Sequence, residues 1–80
     1  MTIKRTTLMD IIEDATGYEV YDLKETAEFE ELGRTVIYVT ADMTIREDVK
    51  GFEIVTNQIC HFIYCVDFHE LMDENWNVIG

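Results

Sequence analysis

The fold is decided by the stretch Ile59–Phe68, which reads ICHFIYCVDF and is the longest apolar run in the chain. The stretch is rich in β-branched and aromatic residues, and neither proline nor glycine interrupts it. These residue types are enriched in strands. We therefore interpret residues 59–68 as a central β-strand that the rest of the domain covers.

The residues before this stretch have the clearest strand pattern in the sequence. From Thr35 to Arg46, apolar residues alternate with largely polar ones, as on a strand with one buried face. Asp48–Gly51 is typical of a tight turn, and residues 52–56 begin the returning strand, with a break or bulge at Asn57–Gln58. Seven residues from Ile45 to Val66 recur at alternating spacings of four and three. This heptad-like pattern favours a competing interpretation of the segment as a helix.

The two ends of the chain predict a helix and a hairpin. An apolar stripe with helical spacing predicts a helix over residues 7–16 that ends at Gly17, and residues 18–23 follow as a strand. Residues 24–32 fit either a second short acidic helix or an extended arm leading into a tight turn. A turn at Asp73–Asn75 then places Trp76 on a short last strand. The sequence therefore predicts one α+β domain over residues 1–80, an N-terminal helix packed on an antiparallel meander.

The charge of the chain is strongly acidic. Seventeen Asp and Glu against six Lys and Arg give a formal net charge of −11. This charge disfavours direct binding to nucleic acid or to an anionic membrane and favours a cationic partner. Most of it lies in residues 10–31, whose nine acids are the candidate partner-binding residues: Asp10, Glu13, Asp14, Glu19, Asp22, Glu25, Glu28, Glu30 and Glu31.

The cysteines indicate a reducing compartment. Cys60 and Cys65 are five residues apart, so on one strand they point to opposite faces and cannot form a disulfide. Two free thiols predict a cytoplasmic location. We expect no signal peptide, because no apolar segment follows Met1–Met9, and no membrane span, because no run approaches about 18 apolar residues.

One cluster in the sequence resembles a metal or thiol site: Cys60, His61, Cys65 and His69. His61, Cys65 and His69 follow one another at spacings of four residues. On a helix, adjacent members of this set could share a metal ion, whereas on a strand they would lie about 13 Å apart. Thiol catalysis is disfavoured because residues 51–80 contain no Lys or Arg to lower the pKa of Cys65. We therefore predict no catalytic residues, metal or cofactor, and a protein that is not an enzyme.

The run at residues 59–68 is apolar on both faces of the predicted strand. The N-terminal helix can cover one face, and little of the chain remains to cover the other. An uncovered apolar face of this size indicates an interface. We therefore expect a homodimer or a hydrophobic protein contact through Phe62, Tyr64, Val66, Phe68 and Trp76.

In size, acidity and lack of a catalytic set, the chain is similar to the small inhibitors that phages use against host defence nucleases, anti-CRISPR proteins among them. That resemblance of composition implies an inhibitor that mimics DNA and masks the basic nucleic-acid-binding surface of its target, in the host cytoplasm if a phage encodes it. An alternative is an assembly subunit that homo-oligomerises through its apolar sheet face. A further alternative is a small metal- or thiol-site protein.

Overall fold

A computed structural model of the chain describes residues 3–80, which contain one helix and four strands. In chain order these are α1 (Arg5–Thr16), β1 (Glu19–Glu31), β2 (Arg34–Val49), β3 (Phe52–Cys65) and β4 (Glu70–Asp73). The strands form one antiparallel sheet in the order β1-β2-β3-β4, and α1 packs against β1 and β4. The predicted α+β fold, a helix on an antiparallel meander, is confirmed.

Strand β2 is the central strand of the sheet, because it pairs with β1 on one side and with β3 on the other. Its odd-numbered residues from Ile37 to Ile45 are buried on the face that carries α1, as the period-two pattern predicts. Leu8 and Ile12 of α1 complete this core with no exposed surface. The helix begins at Arg5, two residues before the predicted start, and ends at Thr16. The capping residue Gly17 has a left-handed backbone (φ 76°), and its N–H donates to the carbonyl of Glu13 at 2.8 Å.

Two tight turns join the three long strands. Leu32 and Gly33 have φ values of 52° and 76°, and Lys50 and Gly51 have values of 52° and 83°. Positive φ at both central residues defines the type I′ turn, whose twist suits a two-residue hairpin.

Residues 24–31 are extended and paired with β2, so the second acidic helix does not form. The helical alternative for residues 45–66 is wrong for the same reason, because these residues form the β2–β3 hairpin.

Strand β3 differs from the predicted central strand at both ends. It extends back to Phe52 without a register shift at Asn57–Gln58, so the predicted break is absent. It ends at Cys65, and the following residues form a turn that includes Phe68. Only Phe62–Cys65 are buried, whereas residues 52–61 are exposed apart from the half-buried Cys60. The rest of the domain therefore covers one end of β3 and leaves the other end open.

The face of the sheet away from α1, here called the open face, carries a second, smaller core. It consists of Val36, Ile63, Cys65 and Met72, with Tyr38 packed against it. The predicted C-terminal turn forms at Asp73, whose carboxylate accepts the backbone N–H groups of Asn75 and Asn77 at 2.9 and 3.0 Å. The predicted last strand is reduced to a single bridge between Met72 and Val78.

Candidate protein-binding surface

Strand β1 is an outer strand of the sheet, and it carries six of the nine candidate acids. Its inner side pairs with β2 from Glu19 to Glu31, and within residues 3–80 no strand pairs with its outer side. Six acids against Lys24 make this strand strongly negative. Charge on an unpaired strand also prevents edge-to-edge aggregation, so the acids serve solubility whether or not they bind a partner. The name acidic edge is used below for these six: Glu19, Asp22, Glu25, Glu28, Glu30 and Glu31.

Two register shifts in β1 decide where the acids point. They occur between Val20 and Asp22 and between Leu23 and Glu25. Because each shift adds one residue, Val20 and Leu23 both face the core although they are three residues apart. The same shifts bring Glu19, Asp22 and Glu25 into register with Thr44, Asp42 and Thr40, three residues of the open face of β2. On a regular strand, a spacing of three would alternate these acids between faces.

The two halves of the acidic edge differ in their electrostatic surroundings. Asp22 pairs with Arg5 at 2.7 Å and with Lys24 at 3.9 Å, and the hydrogen bond from Arg5 lowers the pKa of Asp22 below its ordinary value. Glu19 lies 4.0 Å from Arg46. Residues 25–31, in contrast, hold four acids and no basic residue. At about 3.3 Å per residue, the four carboxylates of residues 25–31 have a mean spacing of roughly 6 Å along the strand. The phosphates along one strand of B-DNA are spaced about 3.4 Å apart.

The helix adds acids beside the same edge. Asp10 and Asp14 are exposed on α1, and Glu13 is half-buried. Because α1 packs against β1, the nine candidate acids lie on two elements that contact each other. The structure therefore brings the helix that carries three of these acids next to the strand that carries the other six.

Of the five apolar interface residues predicted from the sequence, the structure places three in or against the core under α1 and two at exposed positions elsewhere. Phe62 and Tyr64 are 7% and 4% exposed and belong to the core under α1, which corrects the expectation that they form an uncovered face. Val66 is half-buried against that core. Phe68 is exposed in the turn after β3, where Arg34 lies 5.6 Å from its ring centre. Trp76 is also exposed, on the open face.

Trp76 belongs instead to a pocket of about 180 Å³ on the open face, which sequence reasoning missed. The rings of Trp76 and Tyr38 meet edge to face with their centres 6.0 Å apart. Glu25 and Glu74 also line this pocket, so two carboxylates border an aromatic surface. The hydroxyl of Tyr38 donates to Glu31 at 2.8 Å, which raises the pKa of Tyr38 and joins the pocket to the acidic edge. Aromatic faces and carboxylates together attract an alkylammonium or guanidinium group.

Cys60 and Cys65 are free thiols, and the two histidines lie beside different hydroxyl groups. Burial, with a smaller contribution from the charge of Glu74, raises the pKa of the Cys60 thiol, which disfavours the nucleophilic thiolate. Cys65 is fully buried. His61 lies 3.2 Å from the Thr40 hydroxyl, and His69 lies 3.4 Å from the Tyr64 hydroxyl. In the described part of the chain, no group of three or more His, Cys, Asp or Glu side chains could hold a metal ion.

The helix of the described residues is neither long nor apolar enough to cross a membrane. Comparison of the chain with family models, with curated proteins and with solved structures finds no match in any of the three.

Proposed function

We propose that this protein is a non-enzymatic binding protein whose acidic edge docks on the basic surface of a partner protein, masking a site that otherwise holds nucleic acid. The observation that carries the proposal is the register of Glu19, Asp22 and Glu25 with three residues on one face of β2, which the two register shifts of β1 produce. Bulges that re-aim side chains are found near functional sites more often than elsewhere. A defence nuclease is the target class to test first, in the cytoplasm, where free thiols persist.

The pocket beside Trp76 gives this docking a point of specificity. A lysine or arginine side chain of the partner would place its aliphatic stem against Trp76 and Tyr38, and its charge between Glu25 and Glu74. The acidic edge would supply the long-range attraction, and the pocket would hold one side chain in a defined position. Partners with a diffuse positive charge and no projecting basic side chain would bind more weakly.

The test is competition with DNA on purified RNA-guided nucleases, followed by the fluorescence anisotropy of a labelled target duplex. We expect the protein to displace DNA at about 0.05 M salt and much less at 0.5 M. The triple variant Glu25→Gln, Glu30→Gln, Glu31→Gln should weaken displacement about tenfold, at a fraction of a kcal/mol to 1 kcal/mol per exposed charge. Equal weakening by the matched triple variant Glu47→Gln, Asp48→Asn, Glu53→Gln would show that only total charge matters.

Trp76 is the single tryptophan of the chain and reports on the pocket directly. Titration with a lysine-rich peptide should shift its fluorescence, whereas a peptide with norleucine in place of lysine should not. Glu74→Gln should reduce the response to the lysine peptide. If both peptides gave the same response, the pocket would not recognise a cation.

A further inference from the structure

Strand β3 has a long unpaired edge on the side of the sheet opposite β1. Strand β4 pairs only with Phe62–Cys65, so within the described chain no strand lies beside residues 52–61 on that side. The type I′ turn makes Val49 and Phe52 a hydrogen-bonded pair, which directs the backbone groups of even-numbered β3 residues towards β2. The bond from the N–H of Val66 to the carbonyl of Thr35 (3.0 Å) follows the same parity. The N–H and C=O groups of residues 53, 55, 57, 59 and 61 therefore point outward.

This edge lacks the charge that protects β1. Residues 54–66 form the longest stretch of the sequence without Asp, Glu, Lys or Arg. The nearest charge, Glu53, is paired with Arg46 at 3.2 Å. Four apolar side chains along the edge are 44% to 75% exposed: Phe52, Ile54, Val55 and Ile59. A long, flat, apolar edge strand without charge is a template for pairing with another strand.

We propose that a second copy of this chain pairs with this edge, β3 against β3, antiparallel about a twofold axis at Thr56. A chain of charge −11 repels its own copies, and along the paired residues 53–59 of this edge no carboxylate lies opposite another. In this register, residues 53 and 55 lie opposite residues 59 and 57 of the second copy. Residues 57 and 59 lie opposite its residues 55 and 53. The four pairs form about eight backbone hydrogen bonds.

The ends of the paired segment also fit a second copy. Beyond residue 61, β4 occupies the neighbouring position and stops the pairing there. The register brings the Lys50–Gly51 turn of the second copy to the C-terminal turn, which carries Asp73 and Glu74. A lysine thus meets two acids at each end. Because the contact is isologous it closes on itself, so it predicts a dimer and not a fibre.

Cross-linking tests the register. Two strands in this arrangement place Thr56 opposite Thr56 in a non-hydrogen-bonded pair, with the Cα atoms about 4.5 Å apart, within the range of a disulfide. Thr56→Cys should therefore form a covalent dimer on mild oxidation. Wild type should form no covalent dimer, because its Cys60 would face Phe52 of the second copy. Glu47→Cys, which places an exposed cysteine on β2, should form none either. Equal cross-linking of Glu47→Cys would overturn the register.

Sedimentation tests the dimer itself. Wild type should sediment as a dimer of the 9.4 kDa chain, in high salt as well as in low salt. Thr56→Lys should be monomeric, because it sets two lysines directly opposite each other. Tyr21→Lys adds the same charge at an exposed position of β1 and should remain dimeric. A monomeric wild type, a dimeric Thr56→Lys or an open series of larger oligomers would each overturn the proposal.

Discussion

Leu32 has an unfavourable backbone conformation, and a substitution at this position can remove the strain without loss of packing. It occupies the first central position of the type I′ turn at φ 52°, and 92% of its surface is exposed. The left-handed conformation costs an ordinary L-residue about 1–2 kcal/mol, whereas asparagine adopts it readily. Because the leucine side chain makes so little contact, Leu32→Asn should raise the free energy of unfolding by about 1 kcal/mol. For a domain of this size that is roughly 4–8 °C in Tm.

Urea unfolding at a fixed protein concentration measures this gain, since self-association would otherwise change the apparent stability. Lys50→Asn is a parallel case, because Lys50 also has φ 52° before a glycine, and in the monomeric Thr56→Lys background it should shift the midpoint in the same direction. Leu32→Val should lower the midpoint, because a β-branched residue is poorly accommodated at positive φ. A lower midpoint for Leu32→Asn at unchanged m-value would refute the assignment of strain to Leu32.

Two further predictions concern the helix and the C-terminal turn. Ile12→Ala should lower the free energy of unfolding by about 2–5 kcal/mol in the same urea assay, because Ile12 has no exposed surface and its removal leaves a cavity under α1. The backbone N–H of Asn77, with that of Asn75, holds the pKa of Asp73 below the ordinary 3.8. Asp73 therefore contributes stability above pH 3.8 that is lost as the pH falls through its lower folded pKa, and Asp73→Ala should remove this part of the acid dependence of Tm.

The elements with one buried face could be predicted from the sequence. The alternation from Thr35 to Arg46 and the apolar stripe of α1 exist because each element buries a single side, and burial is what the pattern records. Residues 24–31 lack such a pattern because none of them is fully buried and only Thr26 and Glu31 are half-buried. They are a strand because their backbone pairs with β2, and an outer strand can form without an apolar face.

The site was less predictable, because it depends on register and coverage. The acids of residues 10–31 could be identified from composition, but only the shifts near Tyr21 and Lys24 bring Glu19, Asp22 and Glu25 into register with one face of β2. The apolar run at residues 59–68 does not say which of its residues are covered. Phe62 is buried under α1, whereas Ile59, three residues earlier, lies on the open face beyond the end of β4 and is 55% exposed.

The two edges of the sheet lead to a final prediction, because the proposed partner surface and the proposed dimer use opposite sides of the molecule. Near the twofold axis the paired sheet would run β1-β2-β3-β3-β2-β1, which places the Glu19 ends of the two acidic edges about 24 Å apart at five strand spacings. Thr56→Lys should therefore bind a soluble partner with unchanged affinity, since Thr56 is on β3 and away from β1.

On a surface dense with immobilised partner, the same variant should dissociate faster than wild type, because it loses the second point of attachment. Surface plasmon resonance at low and high partner density separates the two effects, with Tyr21→Lys as the dimeric control. A loss of binding to the soluble partner in Thr56→Lys alone would mean that the acidic edge works only within the dimer, and the two edges would then form one composite site.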